Sequence, residues 1–341
     1  MRQKSRLRCV CPLEWTGRTT LEVAVRLDLA RILLARTQIN PVFLDTPQYE
    51  CEPLGDALGC RLFLKVETLN PVRSFKGRGT ETVLTRLQEL GSADAVVCAS
   101  AGNLGQALAL GGRWRGIGVT VVASSAANPL KVERMKALGA DVILVDGEIE
   151  EALETATQYA TETGAYLVED SKDVGTCEGA ATIGVELSDL PVDLDSVVIS
   201  VGAGAMASGV GFALKSLRKT TEIICVQPEN APAMTLALRA GRPIEVGAPT
   251  TIADGVAGRY VIPEVLDDLA SVADDALLVT EASIVEAMRL IYVHAGLVVE
   301  PAAALGVASI LEGRGRFDGR TVATILCGSN VTLTDFHRWI R

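Results

Sequence analysis

Short runs of β-branched and aliphatic residues alternate with helix-period segments along most of the chain, and many of these runs are followed by glycine or another small residue. This alternation is the rhythm of parallel sheets joined by crossover helices. Two blocks can be separated. In the first, residues 95–99, 118–123, 141–146 and 165–168 predict strands, with helices between them at 104–115, 129–138 and 149–163. The middle helix is well punctuated, since Asn128 can cap it, Pro129 takes its first position and Gly139 follows its end. In the second block, 196–201, 222–226, 277–279 and 321–326 predict strands, interleaved with helices near 207–219, 281–295 and 302–311. Their near-continuous Val/Ile content suits strands covered on both faces. Upstream, 21–38 predicts an amphipathic helix and 61–66 a first extended segment. The fold class expected is α/β, with two open twisted sheets carrying helices on both faces.

Composition narrows the function classes. With 341 residues, roughly two domains are expected. Lys plus Arg number 32 against 42 Asp plus Glu, a net charge of −10, the opposite of a nucleic-acid footprint. Charge or glycine interrupts every apolar stretch before the roughly 20 residues a spanning helix needs, so a soluble protein without a membrane partner is expected. Arg2, Lys4, Arg6 and Arg8 crowd the N-terminus, but no signal-length apolar stretch follows them. The eight cysteines include one Cys-Val-Cys, Cys9 to Cys11, and no paired C-x-x-C pattern, which reads as reduced thiols in the cytoplasm. The only histidines, His294 and His337, fall in helical patterns, which disfavours a Ser-His-Asp triad or a His-rich metal site.

In open α/β sheets ligands bind beyond the carboxyl ends of strands, and four segments there are unusual. After 196–201 comes Gly202-Ala203-Gly204-Ala205-Met206-Ala207-Ser208-Gly209, a small-residue turn that opens a helix. Its backbone N–H groups and the helix dipole suit a phosphate. The same turn is open to a dinucleotide reading, although the next strand ends in Gln227 where a ribose-binding acid is wanted. After 61–66, Ser74-Phe75-Lys76-Gly77-Arg78-Gly79 puts a lysine at a helix start. Neighbouring Arg73 and Arg78 and the positive helix end are expected to disfavour its ammonium form, making Lys76 the candidate imine-forming nucleophile. The remaining two segments are 100–106 and 327–330.

Five motifs in order resemble the fold-type II pyridoxal-phosphate enzymes, whose fold is tryptophan synthase β-like, and within them the serine/threonine ammonia-lyase (dehydratase) and serine racemase branch. They are Lys65-x-Glu67 with Asn70-Pro71 and Ser74-Phe75-Lys76-x-Arg78-Gly79, then Ser100-Ala101-Gly102-Asn103-Leu104-Gly105-Gln106, the 202–206 turn, Thr251-Ile252-Ala253-Asp254-Gly255-Val256-Ala257, and Glu300-Pro301-Ala302-Ala303-Ala304. The likeness runs from about Pro41 to Thr332. It implies a large cofactor-binding domain from residues 1–92 and 176–341, and a small mobile domain at 93–175 that closes over the substrate. It also implies pyridoxal 5'-phosphate as cofactor, a small amino-acid substrate and a homodimer.

Roles follow from the resemblance residue by residue. Lys76 would form the imine with the cofactor and act as base at Cα. Phe75 would pack beside the cofactor and Asn103 would bond its ring oxygen. Backbone amides of Gly202, Ala203, Gly204, Ala205 and Met206 would hold the phosphate, and those of Ser100, Ala101, Gly102 and Asn103 the substrate carboxylate. Cys327 would face the ring nitrogen, with Ser329 as its competitor.

Departures from the family pattern sharpen these expectations. Ala101 stands where the racemase carries a serine acid/base, so the reading favours elimination of water from a small hydroxy amino acid such as threonine or serine. Gln227-Pro228-Glu229 lacks the paired carboxylates of cation-binding members, so no metal is expected there. Ala203 and Ala205 replace family glycines, so the cradle is expected either to use ordinary backbone angles at both places or to bind phosphate less well. Alternatives carried forward are β-replacement of the cysteine or diaminopropionate synthase type, a nicotinamide oxidoreductase, and a non-catalytic amino-acid-binding relative.

Overall fold

The computed structural model describes residues 25–92 and 94–341. The first strands in chain order are β1 (Gln48–Glu50), β2 (Arg61–Val66), β3 (Ala95–Ala99), β4 (Gly118–Ser124) and β5 (Asp141–Val145). After them come β6 (Tyr166–Leu167), β7 (Ser196–Ser200), β8 (Glu222–Pro228), β9 (Asp275–Val279) and β10 (Thr321–Leu326). One sheet runs β1-β2-β10-β7-β8-β9 and the other β5-β4-β3-β6. Every pairing is parallel except β1 with β2.

The inner strands carry long aliphatic runs because both of their faces are covered. Val197, Val198, Ile199, Ile223, Ile224, Val226, Val322 and Ala323 are all inaccessible to solvent in one continuous core. Parallel register aligns the strand ends: Leu326 of β10 lies opposite Val66 of β2, and Ser200 of β7 opposite Val226 of β8. The loops leaving β2, β7 and β10 therefore meet at one edge. The second sheet is built wholly from residues within 93–175.

Three sequence expectations shift in the structure. The helix expected over 21–38 begins at Leu29, where the Asp28 carboxylate accepts the Arg31 N–H at 2.8 Å; residues 21–24 lie outside the described part. The last strand of the first block shrinks to two residues. The helix expected from 207 starts at Ala205, so the small-residue turn runs straight into its first turn. The helix Val174–Ser188 carried no amphipathic period because it is buried nearly all round, against helices Lys76–Leu90 and Ala205–Leu217. Backbone contact there is so close that a Cβ at Gly209 would lie 2.2 Å from the Cys177 carbonyl oxygen.

A buried polar cluster ties these elements together. Arg78, fully buried at the start of helix Lys76–Leu90, meets Glu67 through two bonds of 2.9 Å and donates to Glu186 at 2.6 Å. Lys65 also pairs with Glu186, and Thr46 donates to Glu67 at 2.6 Å. Two cations face two carboxylates, so the charges balance without water. The cluster pins β2, the helix that begins with Lys76, and helix Val174–Ser188 in one arrangement.

Candidate active site

The loop from β2 to Lys76 is held by its own side chains. The Asn70 amide donates to the carbonyls of Glu67 and Ser74 at 2.8 and 3.1 Å and accepts from Val72 N–H at 3.1 Å. The Phe75 N–H donates to the Cys327 carbonyl at 3.0 Å, and Ser74 pairs with Gly328 across an isolated bridge. Arg73 adopts a left-handed φ of 52°, which sets the sharp bend before the lysine. Lys76 is thereby delivered at the first position of its helix, beside the carboxyl end of β10.

The neighbours of Lys76 differ from the sequence expectation of a cationic crowd. Arg78 spends its charge on Glu67 and Glu186, and Lys76 Nζ instead meets Asp170 Oδ2 at 2.5 Å. Its ammonium also lies 4.7 Å from the centre of the Phe75 ring. Asp170 Oδ1 is buried without a partner, leaving an acceptor uncommitted beside the lysine.

Beyond β7, the 202–206 turn ends in the N-terminus of a 13-residue helix. Gly204 takes φ 115°, whereas Ala203 and Ala205 stay out of the left-handed region, which is the arrangement their side chains require. The Ala205 N–H is already bonded to Ser171 Oγ at 2.9 Å, so the amides left for an anion are those of Gly202, Ala203, Gly204 and Met206. Ser171 is itself fully buried with φ 66°, a conformation an L-residue keeps only under surrounding constraint.

Beyond β3, Ser100 ties down the start of helix Asn103–Arg115, its Oγ accepting from Gly102 and Gly105 N–H at 3.1 Å each. The Ser100 N–H is taken by the Val122 carbonyl. Of the four amides expected to hold a carboxylate, only those of Ala101 and Asn103 therefore remain, so that expectation is narrowed. Ala101 is exposed. The Asn103 side chain joins a hydrogen-bonded ring with Glu300 and Asn330: Asn103 Nδ2 donates to Glu300 Oε1 at 2.8 Å, and Asn330 Nδ2 to Asn103 Oδ1 at 2.7 Å. Burial pushes the Glu300 carboxyl upward, against the pull of Lys131 and the bonds from Asn330 N–H and Asn103. Lys131 reaches Asp254 at 2.6 Å.

Cys327 follows β10 and is buried, its Sγ taking a hydrogen bond from Ser200 Oγ at 3.6 Å. Burial, aided by Glu300, pushes this thiol up to about 12, so it stays protonated and neutral. The Ser329 N–H donates to the Arg73 carbonyl at 2.9 Å.

Asp170, Ser171 and Arg134 were not singled out from the sequence, and Asn330 only as the end of the 327–330 segment, without a role. A signal for the first two existed, because they follow a strand as the other site loops do, but β6 is only two residues long.

An α/β sheet edge that gathers a lysine, an anion-ready helix N-terminus and a neutral thiol suits an enzyme that uses a phosphorylated carbonyl cofactor. The family model described as "Pyridoxal-phosphate dependent enzyme" matches residues 39–328, and the chain belongs to that family. It is 36% identical over 290 residues to L-threonine ammonia-lyase of Thermotoga maritima, covering 84% of this chain and 71% of that one. It is 31% identical over 314 residues to serine racemase of Arabidopsis thaliana, covering 90% and 94% of the two chains. Among solved structures, maize serine racemase superimposes with a TM-score of 0.86 at 28% identity, covering 91% of this chain and 96% of that one. The fold is that of the type II pyridoxal-phosphate enzymes and the cofactor is pyridoxal 5'-phosphate.

The residues fit this group. Four uncommitted amides at a helix N-terminus suit the phosphate. Lys76 Nζ is the amine available to the aldehyde, and the neutral Cys327 thiol suits an unprotonated ring nitrogen. Among the described residues no helix is long and apolar enough to cross a membrane.

Proposed function

We propose that this enzyme is an ammonia-lyase that dehydrates and deaminates a small hydroxy amino acid, such as threonine or serine, to a 2-keto acid and ammonia. The observation that carries this reading is the neutral, buried Cys327 thiol at the end of β10, in a site whose base is Lys76.

Pyridoxal phosphate supplies an aldehyde that takes up an amine and acidifies the hydrogen on the carbon next to it. The chain supplies the rest. Amides of Gly202, Ala203, Gly204 and Met206 would hold the phosphate end, with Ser171 keeping the Ala205 amide in line. The remaining N–H of Asn103 Nδ2 would donate to the ring oxygen, and the amides of Ala101 and Asn103 would take the substrate carboxylate. Lys76 Nζ accepts the α-proton, and Asp170 steadies the resulting ammonium. Cys327 would stand beside the ring nitrogen as a neutral thiol that cannot supply the counter-charge a carboxylate would, a partner suited to elimination over transamination. The Cα–H and Cβ–O bonds break, water leaves, and hydrolysis of the product imine takes up water and releases ammonia. Ala101 offers no hydroxyl to return a proton from the opposite face, which favours elimination over racemisation. The racemase-named relatives make that the main alternative.

The test is a keto-acid assay across serine, threonine and other amino acids, paired with chiral analysis of recovered substrate. Keto acid from a hydroxy amino acid, abolished in Lys76→Ala, is expected. D-amino acid as the main product, or turnover surviving in Lys76→Ala, would overturn the reading; a new amino acid formed when sulfide or an amine is supplied would move it to β-replacement.

A further inference from the structure

Asparagine side chains bind usefully only when the correct end of the amide faces the ligand, and one end differs from the other only by donor or acceptor character. The orientation of Asn103 is settled by a chain that starts at an arginine outside the motifs. Arg134, on helix Pro129–Ala137, donates from Nη1 to Asn330 Oδ1 at 2.5 Å. A guanidinium only donates, so the oxygen of Asn330 must face it. Its Nδ2 then donates to the Val72 carbonyl at 2.9 Å and to Asn103 Oδ1 at 2.7 Å, using both hydrogens. Asn103 is thus obliged to turn its own Nδ2 the other way, where one hydrogen goes to Glu300 Oε1 at 2.8 Å and the second is left over. Glu300 Oε2 closes the ring by accepting the Asn330 N–H at 2.9 Å.

The energetic position of Arg134 argues against a merely incidental contact. It is half-buried and lies near the cation Arg73, and the side-chain bond it makes among the described residues goes to the neutral Asn330 amide. Both burial and Arg73 pull its pKa below the ordinary arginine value. A cation kept in such a place is a cost borne for the hydrogen bond it makes. That bond also crosses between the two sheets' units, since Arg134 and Asn103 lie on helices that follow strands of the smaller sheet, while Asn330 follows β10 of the larger one and Glu300 precedes helix Pro301–Glu312, which packs on that sheet.

We propose that Arg134 is a positioning residue: through Asn330 it fixes the Asn103 amide with a donor toward the cofactor ring oxygen. This rests on the proposed contact of Asn103 with that oxygen. When the Arg134 donor is removed, Asn330 Oδ1 is left buried without a partner. The Asn330 amide is then held only by its Nδ2 bonds, and its hold on Asn103 slackens.

The test uses the purified enzyme, stripped of cofactor and titrated with pyridoxal phosphate, comparing wild type with Arg134→Met, Arg134→Lys, Asn103→Ala and the double variant Arg134→Met/Asn103→Ala. Near-ultraviolet circular dichroism first establishes that each is folded. The expected result for Arg134→Met is an altered visible absorption band and about tenfold weaker cofactor binding, the value of one lost charge-assisted bond at 1.4 kcal/mol per decade. Arg134→Lys should recover most of both, because one donor suffices for Asn330 Oδ1. The double variant should match Asn103→Ala alone, since both act at the same atom. A wild-type band and affinity in Arg134→Met, with only thermal stability changed, would overturn the proposal, as would additive effects in the double variant. Should Asn103→Ala itself leave band and affinity untouched, the underlying contact of Asn103 is what fails, and the proposal falls with it for that separate reason.

Discussion

Replacing Gly204 by alanine tests the cradle at the one position where its geometry leaves no slack. The residue holds φ 115°, and a Cβ there would lie 2.4 Å from Val265 Cγ1. A left-handed backbone costs an L-residue about 1–2 kcal/mol. Forcing a methyl group into a filled core adds about 1–3 kcal/mol, and Val265 is fully buried on helix Pro263–Ala270, so it has nowhere to move. The combined strain is about 2–5 kcal/mol, relieved chiefly by shifting the 202–206 turn and its amides. If about 1.4 kcal/mol of it falls on the cofactor-bound state, affinity drops about tenfold. Titration of cofactor-free protein with pyridoxal phosphate, followed by absorbance, reads that loss directly. Ala203→Gly and Ala205→Gly serve as controls, because neither alanine uses a left-handed angle, and their cofactor affinities should stay close to wild type. A Gly204→Ala protein that binds cofactor within about twofold of wild type and unfolds at the same urea concentration would refute the strain argument.

Other outcomes follow from the same contacts. Glu186→Gln leaves Lys65 and Arg78 buried with one carboxylate fewer and should cost about 3–5 kcal/mol in urea unfolding. Burial alone would raise the Glu186 pKa, but Arg78 and Lys65 hold it below its ordinary 4.5. Its contribution is therefore complete above the unfolded-state value and lost as pH falls through the lower folded value, so the stability gap between wild type and Glu186→Gln should narrow below about pH 4.5. A gap constant down to pH 3 would show that Glu186 is not the charged partner. Ala101→Ser restores a hydroxyl where an opposite-face acid would act, and D-serine formation from L-serine should rise at least about tenfold on chiral chromatography. Unchanged D-serine yield would mean that another group already returns that proton.

The alternation of aliphatic runs and helical periods carried the architecture, because strand burial on two faces and helix amphipathicity are local properties written in consecutive residues. Residues 95–99 and 321–326 are strands as read, and helix 149–163 begins and ends where its pattern does. Helix Val174–Ser188 escaped notice for the opposite reason: a segment enclosed on all sides shows no periodic face. Lys76, Asn103 and Cys327 could be singled out as candidates because each lies in a segment that follows a strand, two of them within sequence motifs. What they touch was not legible. That Lys76 would meet Asp170 and not a crowd of arginines, that Ser171 would occupy the Ala205 amide, and that Arg134 would reach Asn330 from 196 positions away are pairings between distant parts of the chain. Sequence determines which groups can donate, accept or carry charge. Only tertiary packing decides which of them meet, because that depends on strand order and loop closure, which no local pattern encodes.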